Sequence, residues 1–143
     1  MNGYTVIGSD PLLVRVFGAT LGELFENAAF AVFDQGYVLE SIPGSYSRPI
    51  VAAGDTLAEL LANWIDELLI MSQAAQIAPS FFVVDRLEEG GVQGSAAGMP
   101  LDGIARRGPA VTGLARPPSD PIAVPEGWWV DIELVSGLGL QPA

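Results

Sequence analysis

Three residue types that carry much of enzyme chemistry are missing from this 143-residue chain: histidine, cysteine and lysine. Without histidine and cysteine, the common zinc sites, thiol chemistry and the Ser-His-Asp arrangement are excluded. Without lysine there is neither a Schiff base nor the lysine of a phosphate loop. Carboxylates, hydroxyls and arginine remain, so a bound metal would be a hard cation held by oxygen, such as Ca²⁺ or Mg²⁺.

Basic residues are also scarce, since six arginines stand against 17 acidic residues and the net charge is −11 at pH 7. Such a surface repels a phosphate backbone, so we expect no direct binding of nucleic acid over a broad face. The chain contains no apolar run near the roughly 20 residues that cross a bilayer. Its first residues lack the basic start and apolar stretch of a signal peptide. We therefore expect a soluble, cytoplasmic protein.

Two segments, TLGEL at residues 20–24 and TLAEL at residues 56–60, begin in the same way. In each, a threonine is followed three residues later by a glutamate, which is the capping box of a helix start. Behind each cap, apolar residues recur at helical spacing and form one stripe. The pattern predicts amphipathic helices over about 20–34 and 56–74.

Four residues outside these stripes are candidates for contact with a partner protein. Phe30 and Ile70 fall on the polar sides of the two helices, where either loops of the chain or a partner would cover them. Arg106 and Arg107 are adjacent and could clamp a phosphate or a partner's carboxylate. The alternative for both arginines is a solvated loop.

The rest of the chain is typical of strands, because apolar and polar residues alternate. The predicted strands cover residues 12–17, 46–52, 80–87, 92–98, 110–116 and 128–134. Pro49 places its strand at a sheet edge or in a bulge, and Glu88 to Gly91 predict a hairpin turn.

This order of elements indicates an α+β fold: a two-layer sandwich in which two amphipathic helices cover one face of a largely antiparallel sheet. We expect a single domain over residues 1–134 and a mobile tail over residues 135–143.

Two aspartates are the best candidates for a site built from carboxylates. Asp10 stands at the start of the first predicted strand, and Asp131 lies in the last one, within GWWVDIEL. Carboxylates far apart in sequence converge if their strands are neighbours, and with main-chain carbonyls they would suit a weak Ca²⁺ or Mg²⁺ site. The alternative is that Asp131 simply lies on the wet face of its strand.

Several local patterns occur in a recognisable order. They are Gly3-Tyr4, VRVFG (14–18), TLGELFENAAFAVF (20–33), DTLAELLANWIDELLIM (55–71), GMPLD (98–102), PAVTGLA (109–115) and WVDI (129–132). From about Tyr4 to Ile132, their order and spacing resemble the archease family.

The resemblance implies a small accessory protein, not an enzyme, that docks on an RtcB-type RNA ligase. The family promotes guanylylation of the ligase, and so its turnover, in tRNA splicing and RNA repair. An older proposal for the family is a chaperone-like role towards RNA-modifying enzymes. The resemblance also implies a divalent metal held by aspartates at the start of the first strand and near the C terminus, where Asp10 and Asp131 stand in this chain.

The departures from the family fall on its polar positions. The family's Asp-His-Thr-Ala-Asp run aligns with residues 7–11, so that Asp10 lies one place from the second aspartate. Met99 replaces a glutamate of the family, Pro109 a lysine and Leu114 a histidine. We therefore expect metal binding to be weakened or lost.

Two other functions remain open. One is a divergent binding module that kept the fold and acquired another protein or small-molecule partner. The other is a carboxylate-based hydrolase, which requires the carboxyl groups of Asp10 and Asp131 to lie within about 5–10 Å of each other.

Overall fold

Two helices and eight strands make up the described part of the chain. The structure is a computed structural model and describes residues 3–39 and 46–136. Its elements are β1 Tyr4–Ser9, β2 Leu12–Gly18, α1 Leu21–Asp34, β3 Tyr46–Ala53, α2 Leu57–Ala75, β4 Ile77–Glu88, β5 Gly91–Pro100, β6 Val111–Leu114, β7 Ile122–Val124 and β8 Gly127–Ser136. The predicted α+β class, with two helices and antiparallel strands, is confirmed. Neither α1 nor α2 is long and apolar enough to cross a membrane.

The strands form two hydrogen-bonded sheets. The first has the order β1-β2-β8-β6, with β7 also paired to β8, and the second has the order β3-β5-β4. The first sheet brings β2, near the start of the chain, beside the closing strand β8. Pro49 lies in β3, at an edge of the second sheet, as predicted. Alternation along single strands does not show which strands pair, so the division into two sheets appears only in the structure.

Apart from shifts at strand ends, such as the start of β4 at Ile77 and not at residue 80, three stretches differ from the predicted strands. Residues 4–9 form β1, which is largely exposed and lacks a clear alternation of apolar and polar residues. Residues 122–124, within a proline-rich stretch, form β7 because they pair with the start of β8. Val135 and Ser136 were expected in the mobile tail but continue β8. The remainder of the predicted tail, residues 137–143, lies outside the described residues.

Both helices begin as predicted, each at a capping box. The threonine Oγ1 accepts a hydrogen bond from the backbone N–H of the glutamate three residues later, and the glutamate Oε1 accepts one from the residue before the threonine. In the first cap, the distance from Glu23 N to Thr20 Oγ1 is 3.1 Å and that from Ala19 N to Glu23 Oε1 is 2.7 Å. In the second cap, the distance from Glu59 N to Thr56 Oγ1 is 3.1 Å and that from Asp55 N to Glu59 Oε1 is 2.8 Å.

The repetition extends beyond the caps to the preceding strands. Asn27 Nδ2 donates to the carbonyl of Phe17 at 2.7 Å, and Asn63 Nδ2 donates to the carbonyl of Ala53 at 2.6 Å. Each of these carbonyls belongs to the residue just before a glycine, Gly18 or Gly54. The same unit, made of a strand end, a glycine, a capping box and an asparagine, therefore occurs twice in the fold.

Trp64 of α2 is fully buried and connects the two helices through the core. Its indole Nε1 donates to the carbonyl of Phe25 in α1 at 3.0 Å, and the centroids of the two rings lie 6.5 Å apart. Gly94 of β5 leaves room for the indole, because a Cβ there would lie 3.1 Å from Trp64 Cη2. One hydrophobic core thus joins both helices and both sheets.

We expect Trp64→Phe to lower the free energy of unfolding by about 2–4 kcal/mol, because it leaves a cavity and removes the donor to a buried carbonyl. Urea unfolding with an unchanged m-value measures the loss. Trp129→Phe is the matched control at a half-exposed position, and we expect it to cost under about 1 kcal/mol. Equal losses in the two variants would contradict the central role of Trp64.

Candidate functional site

Asp131 lies in β8 directly opposite Arg15 of β2. The guanidinium of Arg15 donates through Nε and Nη2 to the two carboxylate oxygens of Asp131, at 2.8 and 2.9 Å. The same guanidinium lies over the ring of Trp129, with its Cζ 4.5 Å from the ring centroid. The hydrogen bonds to Asp131 raise the pKa of Arg15, so the arginine stays cationic. Both oxygens of the predicted metal ligand are therefore engaged by a cation of the chain itself.

Asp10 lies elsewhere, in the exposed two-residue turn between β1 and β2. Arg15, which faces Asp131, lies three residues beyond Leu12 in β2, roughly 10 Å at ~3.3 Å per residue of strand. Asp10 lies two residues before Leu12, in the turn. The register instead directs the end of β8, near Ser136, towards Asp10, since Leu12 pairs with Leu134. The structure does not bring the two aspartates together. The carboxylate-based hydrolase depends on a spacing of about 5–10 Å between the carboxyl groups, and this register does not provide it.

Apolar side chains occupy the sheet next to Asp10. Leu12, Leu134 and Leu114 lie side by side on β2, β8 and β6. Leu134 is buried, while Leu12 and Leu114 are partly buried against the core. Leu114 is the position where the resemblance places a histidine. At this position the chain has a leucine that packs against the core.

The residues present do not fit the implied metal site. Within residues 3–39 and 46–136, no three acidic side chains form a group that could hold a metal ion. Ca²⁺ takes about six to eight oxygen ligands, and Mg²⁺ keeps several waters and is held by one or two carboxylates. Here one predicted ligand, Asp131, is paired with Arg15, and the other, Asp10, stands apart.

The four residues predicted to contact a partner have different surroundings. Phe30 is partly buried against the core, whereas Ile70 is 60% exposed. The guanidinium of Arg106 lies 5.1 Å from the centroid of the Tyr37 ring. Arg107 Nη2 donates to the carboxylate of Asp34 at 3.3 Å. Both arginines, although exposed, thus contact the chain's own residues near the end of α1.

A polar cluster that the sequence patterns did not reveal surrounds Asp34, the last residue of α1. This carboxylate is only 5% exposed and lies at the C-terminal end of the helix. Tyr4 Oη donates to it at 2.6 Å, in addition to Arg107, and Gln35 Nε2 donates to Tyr4 Oη at 3.2 Å. Burial and the hydrogen bond to Asp34 raise the pKa of Tyr4 to about 12. The cluster fixes β1 and the loop before β6 to the end of α1.

A cleft of about 630 Å³ lies where β2 leads into α1, beside the turn between β7 and β8. Phe17, Trp128 and Trp129 are its aromatic lining residues. Glu23 and Glu126 are the charged residues that line it. Trp128 also packs against the core, and Trp129 pairs with Phe17 across β2 and β8. The adjacent tryptophans thus combine a core contact with an aromatic wall.

Sequence comparisons match this chain to archeases. The profile of the archease protein family (MTH1598/TM1083) matches residues 11–110. The chain is similar to the archease of Pyrobaculum calidifontis, with 40% identity over 67 residues, which are 47% of this chain and 46% of that protein. It is also similar to the archease of Methanosarcina barkeri, with 35% identity over 75 residues, 52% of this chain and 51% of that protein. The match spans about half the length of these curated relatives.

Solved structures share the fold at low sequence identity. The solution structure of Methanobacterium thermoautotrophicum protein 1598 superimposes with a TM-score of 0.74 and 21% identity, over 95% of this chain and 99% of that one. The crystal structure described as an archease, possible chaperone, from Thermotoga maritima gives a TM-score of 0.61 and 9% identity, over 87% and 89% of the two chains. At these identities the similarity shows the fold alone.

We expect Tyr4→Phe to lower the free energy of unfolding at neutral pH by about 1–3 kcal/mol, because Asp34 loses a donor in a buried position. Since the folded-state pKa of Tyr4 is raised to about 12 from 10.0, this stabilisation is fully present below pH 10. It is lost as the pH rises towards 12.

Urea unfolding of wild type and Tyr4→Phe at pH 8 and pH 11 measures the difference. Tyr46→Phe, at a residue 47% exposed, is the control and should change stability little at either pH. A difference between wild type and Tyr4→Phe that is the same at both pH values would contradict the assignment.

Proposed function

Because the chain belongs to the archease family, we propose that it is a non-enzymatic accessory protein that docks on an RtcB-type RNA ligase and promotes its guanylylation. The observation that carries the proposal is the family match over residues 11–110, which includes both helices and strands β2 to β5. A chaperone-like action, named as possible for the Thermotoga maritima protein, would also be exerted by docking on another protein.

The composition supports action through a protein partner. The net charge of −11 disfavours direct contact with RNA, so the ligase and not its substrate would be the docking target. A non-enzymatic role agrees with the separation of Asp10 from Asp131 and with the lack of histidine, cysteine and lysine.

We further propose that divalent metal binding is weakened in this chain. Support comes from the ion pair of Arg15 with Asp131, because a divalent ion would have to displace a guanidinium that holds both carboxylate oxygens. The apolar row of Leu12, Leu134 and Leu114 offers no oxygen ligands from its side chains.

The ligase proposal predicts a saturable complex with an RtcB-type ligase from the same organism. Adding the chain at equal concentration should raise the rate of ligase guanylylation by GTP, while the chain alone joins no RNA ends. Calorimetric titration and the radiolabelled ligase–GMP adduct measure the two effects. A titration without heat, together with an unchanged adduct rate, would exclude the ligase as the partner.

The metal proposal predicts that titrations of Ca²⁺ and of Mg²⁺ into wild type and Asp131→Asn give the same weak heats. Arg15→Gln is the informative partner variant, because it frees the Asp131 carboxylate and should strengthen binding relative to wild type. Calorimetry at constant ionic strength measures all three proteins. Tight binding by wild type that disappears in Asp131→Asn would overturn the proposal and restore Asp131 as a ligand.

A second candidate function is a binding module with a different protein or small-molecule partner on the same fold. The observation that favours it is Leu114, which stands where the resemblance implies a histidine. Leu114 pairs with Leu134 and packs against the core. The ligase titration separates the two candidates, since a module with another partner would leave the ligase unbound.

A further inference from the structure

The cleft beside the β7–β8 turn is large enough to receive a side chain from another molecule. Its volume of about 630 Å³ falls within the range of roughly 300–1,000 Å³ typical of ligand sites. Aromatic rings of Phe17, Trp128 and Trp129 supply the apolar part of its lining. Aromatic walls of this kind favour a flat or cationic group over an aliphatic one.

The charge of the cleft selects the sign of its ligand. The charged residues in its lining, Glu23 and Glu126, are both acidic and exposed. The nearby start of α1 would ordinarily attract an anion, but its capping box already engages the N–H groups of Ala19 and Glu23. With those donors engaged and a net charge of −11 on the chain, the cleft favours a cation.

The same sheet face already shows how a guanidinium is held. Arg15 stacks on the ring of Trp129 while Asp131 receives its two donors. The cleft offers a similar combination, since Trp128 supplies a ring beside Trp129, which already holds Arg15, and Glu126 supplies a carboxylate. A planar guanidinium stacks on such rings and is less strongly hydrated than an ammonium group.

We propose that this cleft receives an arginine side chain presented by a protein partner. The cation lies against the aromatic lining beside the ring of Trp129 that Arg15 occupies, and the carboxylate of Glu126 accepts a hydrogen bond from it. The inference goes beyond the proposed ligase, because it holds for whichever protein presents the arginine. Its test requires no ligase, so its failure is distinct from failure of the docking proposal.

The probe is an acetylated and amidated Gly-Gly-Arg-Gly-Gly peptide, titrated into the full chain labelled with ¹⁵N. We expect saturable shifts of the indole N–H resonances of Trp128 and Trp129, with the signal of buried Trp64 unmoved. The matching citrulline peptide keeps the shape of the side chain but loses its charge. Its affinity should be at least about tenfold lower. Absence of shifts with the arginine peptide, or equal affinity for the two peptides, would overturn the proposal.

Two variants with the same change in net charge separate local recognition from general attraction. Glu126→Gln should weaken binding of the arginine peptide about threefold, whereas Asp66→Asn on the exposed side of α2 should leave it unchanged. Trp129→Leu should reduce binding further, and its folding is checked by the unchanged Trp64 indole signal. Equal weakening by Glu126→Gln and Asp66→Asn would show non-specific attraction and overturn the cleft as the site.

Discussion

The close approach of a helix start to the glycine that ends the preceding strand is the constraint from which the rest of the fold follows. A Cβ on Gly18 would overlap the amide nitrogen of Leu24, and a Cβ on Gly54 would lie 2.7 Å from that of Leu60. Only glycine allows helix and strand to meet so closely at these two points. Each helix is thereby set against its sheet, and Trp64 can reach the Phe25 carbonyl across the core.

The same junction produces the cleft. Where β2 passes through Gly18 into α1, Phe17 stays on the outer side of the sheet and pairs with Trp129. Gly127, with a φ of 145°, lets the turn before β8 approach the carbonyl of Gly18, a conformation that side chains rarely permit. The glycines required for packing thus also leave aromatic rings and the carboxylate of Glu126 around an open space.

Local signals predicted the helices almost to the residue, because a capping box is complete within four residues of sequence. Strand existence was also largely predictable from alternation, except for the exposed β1 and the short β7. Register was not predictable, because it depends on pairing between residues such as Arg15 and Asp131, which are far apart in the chain. For the same reason Asp131 was a reasonable metal candidate from sequence, and the contact between Tyr4 and Asp34 left no local pattern.

The retention of the fold alongside altered polar positions is understandable if the molecule works by docking. A catalytic centre requires a few groups within tenths of an ångström of one geometry, whereas a docking surface requires shape and charge over a wide area. In this chain Asp131 forms an ion pair with Arg15. Leu114 packs against the core at a position where the resemblance implies a histidine. Both features are compatible with the packing that presents the aromatic cleft. A partner that recognises the cleft can therefore be kept while the chemistry beside Asp10 changes.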